Sequence, residues 1–531
     1  MAAMVANKAN MNDWGVDSAP DVFIWQLHDN TMTTEVELKL ALAPAHVAAL
    51  IRHPLLLAAG KPLRRNLRSV YHDTPKLTLM RHHAALRVRR VGRQWVQTVK
   101  IGGGATGGLH QRPEWEGVVP DATVNPALFD APAVRALLTP ARLAKLVPVF
   151  ETRFWRTTWL VQWGEAQIEV ALDQGEVRSG AHSEVICELE LELKSGTALA
   201  LFDLALALAE TIPLRPDPVS KAERGYALFL GQLASPIKAA PAGLRADMSV
   251  TAAAVCAAQS ALGQLTGNLA GLLDDRDPEY LHQVRVALRR MDASLRFGLH
   301  CPALAALRTE VRWALDTTSP ARDWDVLSTH TLLALQAALP DAALDRLMRA
   351  IQPLRCAAHA DLNAALGSAR FDQFLLLVGR ALLSCPQDSL IVAPKPRMDT
   401  LMARAHDLLA KQHRQLLHRG DDLAALSDAA RHRLRIAAKK QRYLLAFVAE
   451  IYPQRASRAY LAALTSVQLQ LGDLNDLAVA QRSLQVMRPR HAWACGLVQG
   501  WCAAQTPQLL AQLSFAWGDV DAAKAFWRGR T

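Results

Sequence analysis

The hydrophobic period of this chain changes once along its length, and that change divides the molecule. Up to about residue 195 apolar and polar residues alternate, as in EVELKL at 35–40, LRVRR at 86–90, WVQTVKI at 95–101, EWEGVV at 114–119, QIEVALD at 167–173 and CELELELK at 187–194. A period of two belongs to strands with unlike faces. From about residue 247 Ala, Leu, Arg and Gln recur with the 3.6-residue period of amphipathic helices. The chain is therefore expected to be α+β in two parts: an antiparallel β domain over 32–231 and an all-α bundle over 247–515. Helices are expected to interrupt the strands near 44–58 and 197–210 and to begin again near Ser220. Residues 232–246, with prolines at 236 and 241, read as a linker, and 1–31 and 516–531 as tails.

With 531 residues and 51% hydrophobic content, both halves have enough apolar material for cores, which excludes a disordered chain. The seven cysteines contain no C-x-x-C pair, against a zinc ribbon or a disulfide framework. The first residues lack the apolar core of a signal peptide, and no uninterrupted apolar run reaches the roughly 18 residues of a membrane span. A soluble cytoplasmic protein is expected. Of the net charge of +11, nine units lie beyond residue 239.

The polar faces of the strands are chemically biased. Glu35, Glu37 and Lys39 share one side of a strand, as do Arg87 and Arg89, Glu114 and Glu116, Glu169 and Asp173, and Glu188, Glu190, Glu192 and Lys194. Any one of these reads as a solvated face. Closed into a barrel, they would line a lumen with carboxylates and guanidinium or ammonium groups. Arginine forks bind phosphate oxygens and hard carboxylates hold Mg2+ or Mn2+, so the residues point to metal-dependent phosphoryl transfer. Gly102, Gly103, Gly104, Gly107 and Gly108 read as a mobile hairpin connection. They do not read as a phosphate loop, because no G-K-[ST] and no helix follow.

The E-x-E-x-K spacing of Glu35, Glu37 and Lys39 resembles the signature of the CYTH family, the triphosphate tunnel metalloenzymes. YHDTP at 71–75, ALRVRR at 85–90, RPEWE at 112–116, FETRFWRTT at 150–158 and SKAERGY at 220–226 follow in that family's order, with His72 where an aromatic is commoner. The resemblance covers about 32–231 and implies an eight-stranded antiparallel tunnel that hydrolyses triphosphate compounds. It further implies that Glu35, Glu37, Glu188 and Glu190 bind metal. Arg87, Arg89, Lys100, Arg112, Arg156 and Lys221 would grip phosphates, with Lys39 at the reacting end. Glu114, Glu116, Glu169 and Asp173 would support them. Trp95, Trp115, Trp155 and Trp159 are the candidates for binding the ring of thiamine triphosphate, with core packing as their alternative.

In the helical half, HQVRVALRRM at 282–291 and HRLRIAAKKQ at 432–441 match at an offset of 150, which also carries RDWDVL at 322–327 onto GDLNDL at 472–477. Two copies of one helical unit are expected. His282, Arg285, Arg289 and Arg296 fall on one helical stripe, and His432, Arg435, Lys439 and Arg442 on its counterpart. Facing each other, the stripes would form a basic channel for a polyanion. These strings resemble the CHAD domain, an association that implies inorganic polyphosphate binding by His282, Arg285, Arg289, Arg290, Arg296, His432, Arg435, Lys439, Lys440 and Arg442. Asp323 and Asp473 would orient the cations, and Asp292 is expected to pair with Arg289 or Arg296. Nucleic acid is disfavoured as a partner because no aromatics interleave the basic stripes. The expected function is metal-dependent hydrolysis of inorganic triphosphate in the tunnel domain with polyphosphate binding by the helical domain, in the cytoplasm and in association with polyphosphate granules. A non-catalytic polyphosphate receptor, or a hydrolase of thiamine triphosphate or ATP, is the alternative.

Overall fold

The computed structural model describes residues 33–528 apart from 103, 129–130, 232–234, 275–276, 299–300, 386–399, 424 and 524. The tail expected over 1–31 and Gly103 lie outside the described residues.

Ten strands form one antiparallel sheet: β1 (Thr33–Ala41), β2 (Leu63–Asp73), β3 (Ala84–Val91), β4 (Gln94–Ile101), β5 (Gly104–Thr106), β6 (Leu109–Val119), β7 (Val147–Trp163), β8 (Ala166–Ser179), β9 (His182–Ser195) and β10 (Arg215–Pro216). Eight of them close on themselves in the order β1-β9-β8-β7-β2-β3-β4-β6, because β1 pairs with β9 on one edge and β6 on the other. Closure removes the open edges and turns one residue parity inward. The opposite parity packs outward: Leu38, Leu40, Ile168, Val170, Leu172, Leu189 and Leu191 form a core with Phe202, Leu204 and Leu208 of helix α1 (Leu199–Ala209).

The expected mobile connection is instead partly a strand. β5 pairs with Leu109–Gln111 of β6, and Gly107 and Gly108 make the turn at positive φ. A side chain at Gly107 would collide with Leu262 of the helical half, and one at Gly108 with the Lys39 carbonyl. Helix α2 (Lys221–Leu230) starts with a capping box, in which Ser220 and Glu223 satisfy each other's backbone N–H. Gly225 brings α2 hard against Phe150 of β7, since a Cβ there would lie 2.1 Å from the ring. That close approach sets Lys221 into the barrel. Asp73 explains the YHDTP segment: its buried carboxylate accepts from the Leu79 and Met80 amides at 2.9 and 3.0 Å and from the Tyr226 hydroxyl at 3.0 Å.

Beyond residue 249 every named element is helical. Those used below are α3 (Val250–Leu273), α4 (Pro278–Phe297), α5 (Ala369–Ser384), α6 (Leu401–Arg419), α7 (Asp428–Val448), α8 (Gln454–Ser483) and α9 (Ala492–Ala522). α4 and α7 begin 150 residues apart, matching the offset of the repeated strings. Ser249 and Thr400, the capping residues of α3 and α6, meet in an isolated antiparallel bridge. Two details depart from expectation. The linker is pinned: Ile237 exchanges hydrogen bonds with the Asn268 side chain, Arg290 donates to the Ala240 carbonyl at 2.9 Å, and Glu450 accepts from the Ala242 and Leu244 amides. The segment expected as a C-terminal tail continues α9 to Ala522, and Trp527 is buried against Tyr460 and His413. Its aromatic residues, not the helical period, fix that end.

Candidate active site and anion groove

Inside the barrel, alternation and register bring the charged residues of seven strands together with α2. Seven cations (Lys39, Arg87, Arg89, Lys100, Arg112, Arg156 and Lys221) and three carboxylates (Glu35, Glu37 and Glu190) line one cavity, with Tyr71, Thr98 and Ser220 among its other walls.

The charges are organised in two groups. At the floor, Lys221 Nζ lies 2.6 Å from Asp173, 2.5 Å from Glu188 and 2.7 Å from Glu190. Arg156 grips Asp173 with Nε at 2.7 Å and Nη2 at 2.6 Å and also pairs with Glu190. Lys39 pairs with Glu188 at 3.0 Å and donates to the Val219 carbonyl. On the opposite wall Lys100 pairs with Glu35 and, at 3.2 Å, with Glu114, which lies 3.5 Å from Arg87. Arg112 stands 3.6 Å from Glu37 and donates to His110 Nδ1, so His110 accepts as the neutral imidazole; burial and Arg112 push its pKa down to about 4.

The carboxylates divide sharply. Glu35 is held at about 2, because Lys100 and Arg87 outweigh the effect of burial. Glu37 is pushed up to about 8 by burial and by the neighbouring Glu190 and Glu35. Glu190 is buried too, yet Lys221, Arg156 and Lys39 hold it well below the usual carboxylate range. Burial and the adjacent Arg87 and Arg156 lower Arg89 to about 10. Phe154 lies beneath the cations, with Lys221, Arg89 and Arg156 at 5.0, 5.7 and 5.7 Å from its ring centroid.

Of the residues expected in the lumen, Glu188 and Asp173 lie beneath the cavity wall and are fully buried. The oxygens of Asp173, Glu188 and Glu190 come within 4.8 Å of one another, but the Lys221 ammonium bridges all three. Glu116 accepts from Thr98 Oγ1 at 2.9 Å, and Glu169 adds to the field on Arg156. The four tryptophans are outside the cavity lining: Trp115 and Trp159 are buried in the cores, Trp155 is on the outer face beneath Arg64, and Trp95 is beside Arg90. Phe154 and Arg224 are functional neighbours that the sequence reading missed. Arg224 pairs with Glu188 and Asp217, and its i,i+3 spacing from Lys221 was the available signal.

The duplicated helices α4 and α7 pack side by side, with Phe297 and Phe447 rings 4.7 Å apart. Here cations face cations. Lys439 is lowered to about 7 by burial and by Arg435, Arg289 and Arg285, and Arg285 to about 10 by burial and Arg289. His282 is also lowered, chiefly by burial, with Arg322, Arg289 and Arg285 contributing. Arg289 donates to Tyr443 Oη at 3.2 Å, and Arg435 Nε is buried without a hydrogen bond. Asp323 sits in the field of Arg285 and Arg435, whereas Asp473 faces Asp476 and His330 and is not among the basic stripes. Arg290 points away and holds the linker; Asp292 pairs with Arg296 and, at 3.5 Å, with Arg308. His432 and Lys440 are exposed, and Arg442 lies over the Tyr443 ring. Arg322 joins the groove although no stripe predicted it.

A closed antiparallel tunnel lined by basic and acidic groups, followed by a duplicated helical domain with a cationic groove, defines a two-domain class of protein. Residues 33–226 match the CYTH domain family and residues 256–485 the CHAD domain family, so the chain carries a CYTH domain followed by a CHAD domain. An inorganic triphosphatase from Haemophilus influenzae is 35% identical over 207 residues, covering 38% of this chain and 56% of that relative. The chain thus spans little more than half the length of the curated relative. The crystal structure of a CHAD domain from Ricinus communis is 29% identical and covers 55% of this chain and 98% of that one, with a TM-score of 0.49. A candidate adenylyl cyclase from Hippeastrum, described as having a dominant triphosphatase activity, is 19% identical and covers 38% of this chain and 97% of its own, with a TM-score of 0.30. Among the described residues no helix is long and apolar enough to cross a membrane.

Proposed function

We propose that the barrel hydrolyses inorganic triphosphate to pyrophosphate and phosphate with Mg2+ or Mn2+, and that the α4–α7 groove binds inorganic polyphosphate. The observation that carries the first part is the cavity lining: seven cations and three carboxylates, with no tryptophan to hold a thiamine ring. A ligand composed of phosphates matches such a wall throughout. The triphosphatase relative supports the same reading over the barrel.

The donor set fits a divalent cation. Glu37 is raised to about 8 first by burial and then by the crowding of Glu190 and Glu35, and hard carboxylate oxygens gathered in this way suit a divalent cation. Glu35, Glu37 and Glu190 would hold the ion, which would supply Lewis-acid polarisation of a phosphoryl oxygen and a more acidic water. Asp173 and Glu188 serve instead to fix Lys39, Lys221 and Arg156. Arg87, Arg89, Lys100, Arg112 and Arg156 align the phosphates and spread the charge of an in-line transition state, while the water oxygen attacks the terminal phosphorus and the bridging P–O bond breaks. Lys39, fixed by Glu188 and the Val219 carbonyl, stands at the reacting end.

In the groove, Arg285, Arg289, Arg435 and Lys439 repel one another, and a polyanion relieves that repulsion. Among the cationic groove residues named above and their hydrogen-bond partners, Tyr443 is the one Phe, Tyr or Trp side chain, which favours polyphosphate over stacked bases. Cytoplasmic localisation at polyphosphate granules accords with this reading. The test is phosphate release from triphosphate, ATP, thiamine triphosphate and long-chain polyphosphate under Mg2+, Mn2+ and chelator. Metal-dependent turnover of triphosphate, lost in folded Glu35→Gln/Glu37→Gln, is expected. Absence of turnover in wild-type protein that still binds polyphosphate would leave the barrel a receptor.

A further inference from the structure

We propose that the helical domain positions Lys39 through an ion pair across the domain boundary, Arg215–Asp372, which makes both of them positioning residues for the barrel chemistry. The inference rests on the reading of Lys39 given above, but its geometry is independent of substrate.

The connection from β10 to α2, residues 215–221, wraps around Lys39. Pro216 is opposite Leu40 and Arg215 opposite Ala41, the Asp217 amide donates to the Lys39 carbonyl at 2.9 Å, and the Val219 carbonyl accepts from Lys39 Nζ. Asp217 Oδ2 lies 3.9 Å from the same ammonium, and the segment ends at Lys221, the cation bridging the floor. Both the backbone and the side chain of Lys39 are therefore held by this strap.

The strap has little anchorage of its own in the sheet, because β10 is two residues long. Its first residue is fastened to the helical domain. Arg215 Nε lies 2.6 Å from Asp372 Oδ1, and its Nη2 donates to the Leu366 carbonyl at 2.5 Å. Asp372 is almost fully buried on α5, where burial raises its pKa and Arg215 opposes the rise. One charge-assisted bond to a buried carboxylate and a second to a backbone carbonyl, made by one planar guanidinium, fix direction as well as distance. The surface behind it is close-fitting: Leu376 of α5 joins the barrel core, Gln373 donates to the Ala209 carbonyl, and Gly379 lies where a Cβ would be 2.3 Å from the Phe202 ring. On the other side of Lys39, its amide donates to the Gly108 carbonyl at 2.9 Å, and the adjoining Gly107 abuts Leu262 of α3. Lys39 is clamped between two segments that both rest on the helical domain. A displacement of about 1 Å at such a group is enough to lower turnover by about 100-fold.

The experiment compares full-length wild type with Arg215→Ala, with the paired replacement Arg215→Met/Asp372→Leu, and with Arg380→Ala. The paired replacement leaves no uncompensated buried charge and keeps the fold accessible if the single variant fails. Arg380→Ala removes the Arg380–Asp203 ion pair, which crosses the same interface away from the strap. Two readouts are taken: kcat and KM for triphosphate, and amine-acylation labelling of Lys39 relative to exposed Lys61 by mass spectrometry. Loss of the Arg215 anchor should lower kcat at least 10-fold with KM within about 3-fold and raise Lys39 labelling at least 5-fold, while Arg380→Ala changes neither. Unchanged Lys39 labelling in the folded anchor variants overturns the proposal, whatever happens to kcat. So does an equal response in Arg380→Ala, which would reduce the pair to general interface stability. If wild type does not turn over triphosphate, the functional reading fails and the labelling comparison still decides the strap.

Discussion

The barrel and the groove both concentrate positive charge, and they handle it in opposite ways. In the barrel, Lys221 meets Asp173, Glu188 and Glu190, Arg156 meets two of these, and Lys100 meets Glu35 and Glu114. In the groove, burial together with Arg435, Arg289 and Arg285 pulls the Lys439 ammonium down to about 7. A paired cation is held in place before any ligand arrives, which suits a reaction that depends on alignment. An unpaired cluster stores repulsion that only a ligand removes, which suits capture of a flexible chain. Removing one cation should therefore weaken the barrel and relax the groove.

The largest effect is expected for Lys221→Met. It leaves buried Asp173 and Glu188 and half-buried Glu190 without their shared ammonium, and loss of one partner from a buried pair costs about 3–5 kcal/mol. Denaturant unfolding should show that loss, and a folded variant should be inactive on triphosphate. Lys439→Met should do the reverse in the absence of ligand, leaving stability unchanged or raised by about 1 kcal/mol, while weakening polyphosphate binding about 10-fold. A matched fall in stability for both variants would erase the contrast.

The groove should also respond to pH. The folded pKa of Lys439, about 7, lies below its ordinary value of 10.5, so between the two the unfolded chain binds the extra proton and this group's contribution to stability rises with pH. A polyanion restores the proton. Polyphosphate binding should accordingly take up protons above pH 7 and weaken as pH rises, measurable by titration calorimetry in buffers of different ionisation enthalpy. The groups surrounding it are Arg285 and Arg289 of α4, Arg435 of α7 and Asp476 of α8. The smallest effect belongs to Arg290→Ala, which should leave polyphosphate affinity within about 2-fold, because its guanidinium holds Ala240 and Gln264. A large loss would return Arg290 to the groove.

The strands with apolar residues on one parity and charges on the other were legible in the sequence: β1, β3, β4, β6, β8 and β9. β2 and β7 were not, because their inward parity is mixed. β2 turns Leu67, Ser69, Tyr71 and Asp73 inward while placing Arg64 and Arg68 outside, and β7 combines Thr152, Phe154 and Arg156. Such strands have no clean hydropathic period, although neighbouring strands fix them without ambiguity. Site membership followed parity well for Glu35, Glu37, Lys39, Arg87 and Arg89. Depth did not, since Glu188 and Glu190 have the same parity but only the latter reaches the cavity. The duplication named the helices correctly, yet spacing on one helix could not tell Arg289, which faces α7, from Arg290, which faces the linker. Partners of that kind are decided by packing between elements distant in sequence.

The pinned connection between the halves bears on how such a protein can change over generations. A joint that merely tethers two units lets either be exchanged by recombination at that point. Here residues 237–244 are bonded to Asn268, Arg290 and Glu450, three positions spread over 183 residues of the helical half. The joint therefore belongs structurally to the helical half, and substitutions within 237–244 are expected to be accompanied by compensating ones at those three positions.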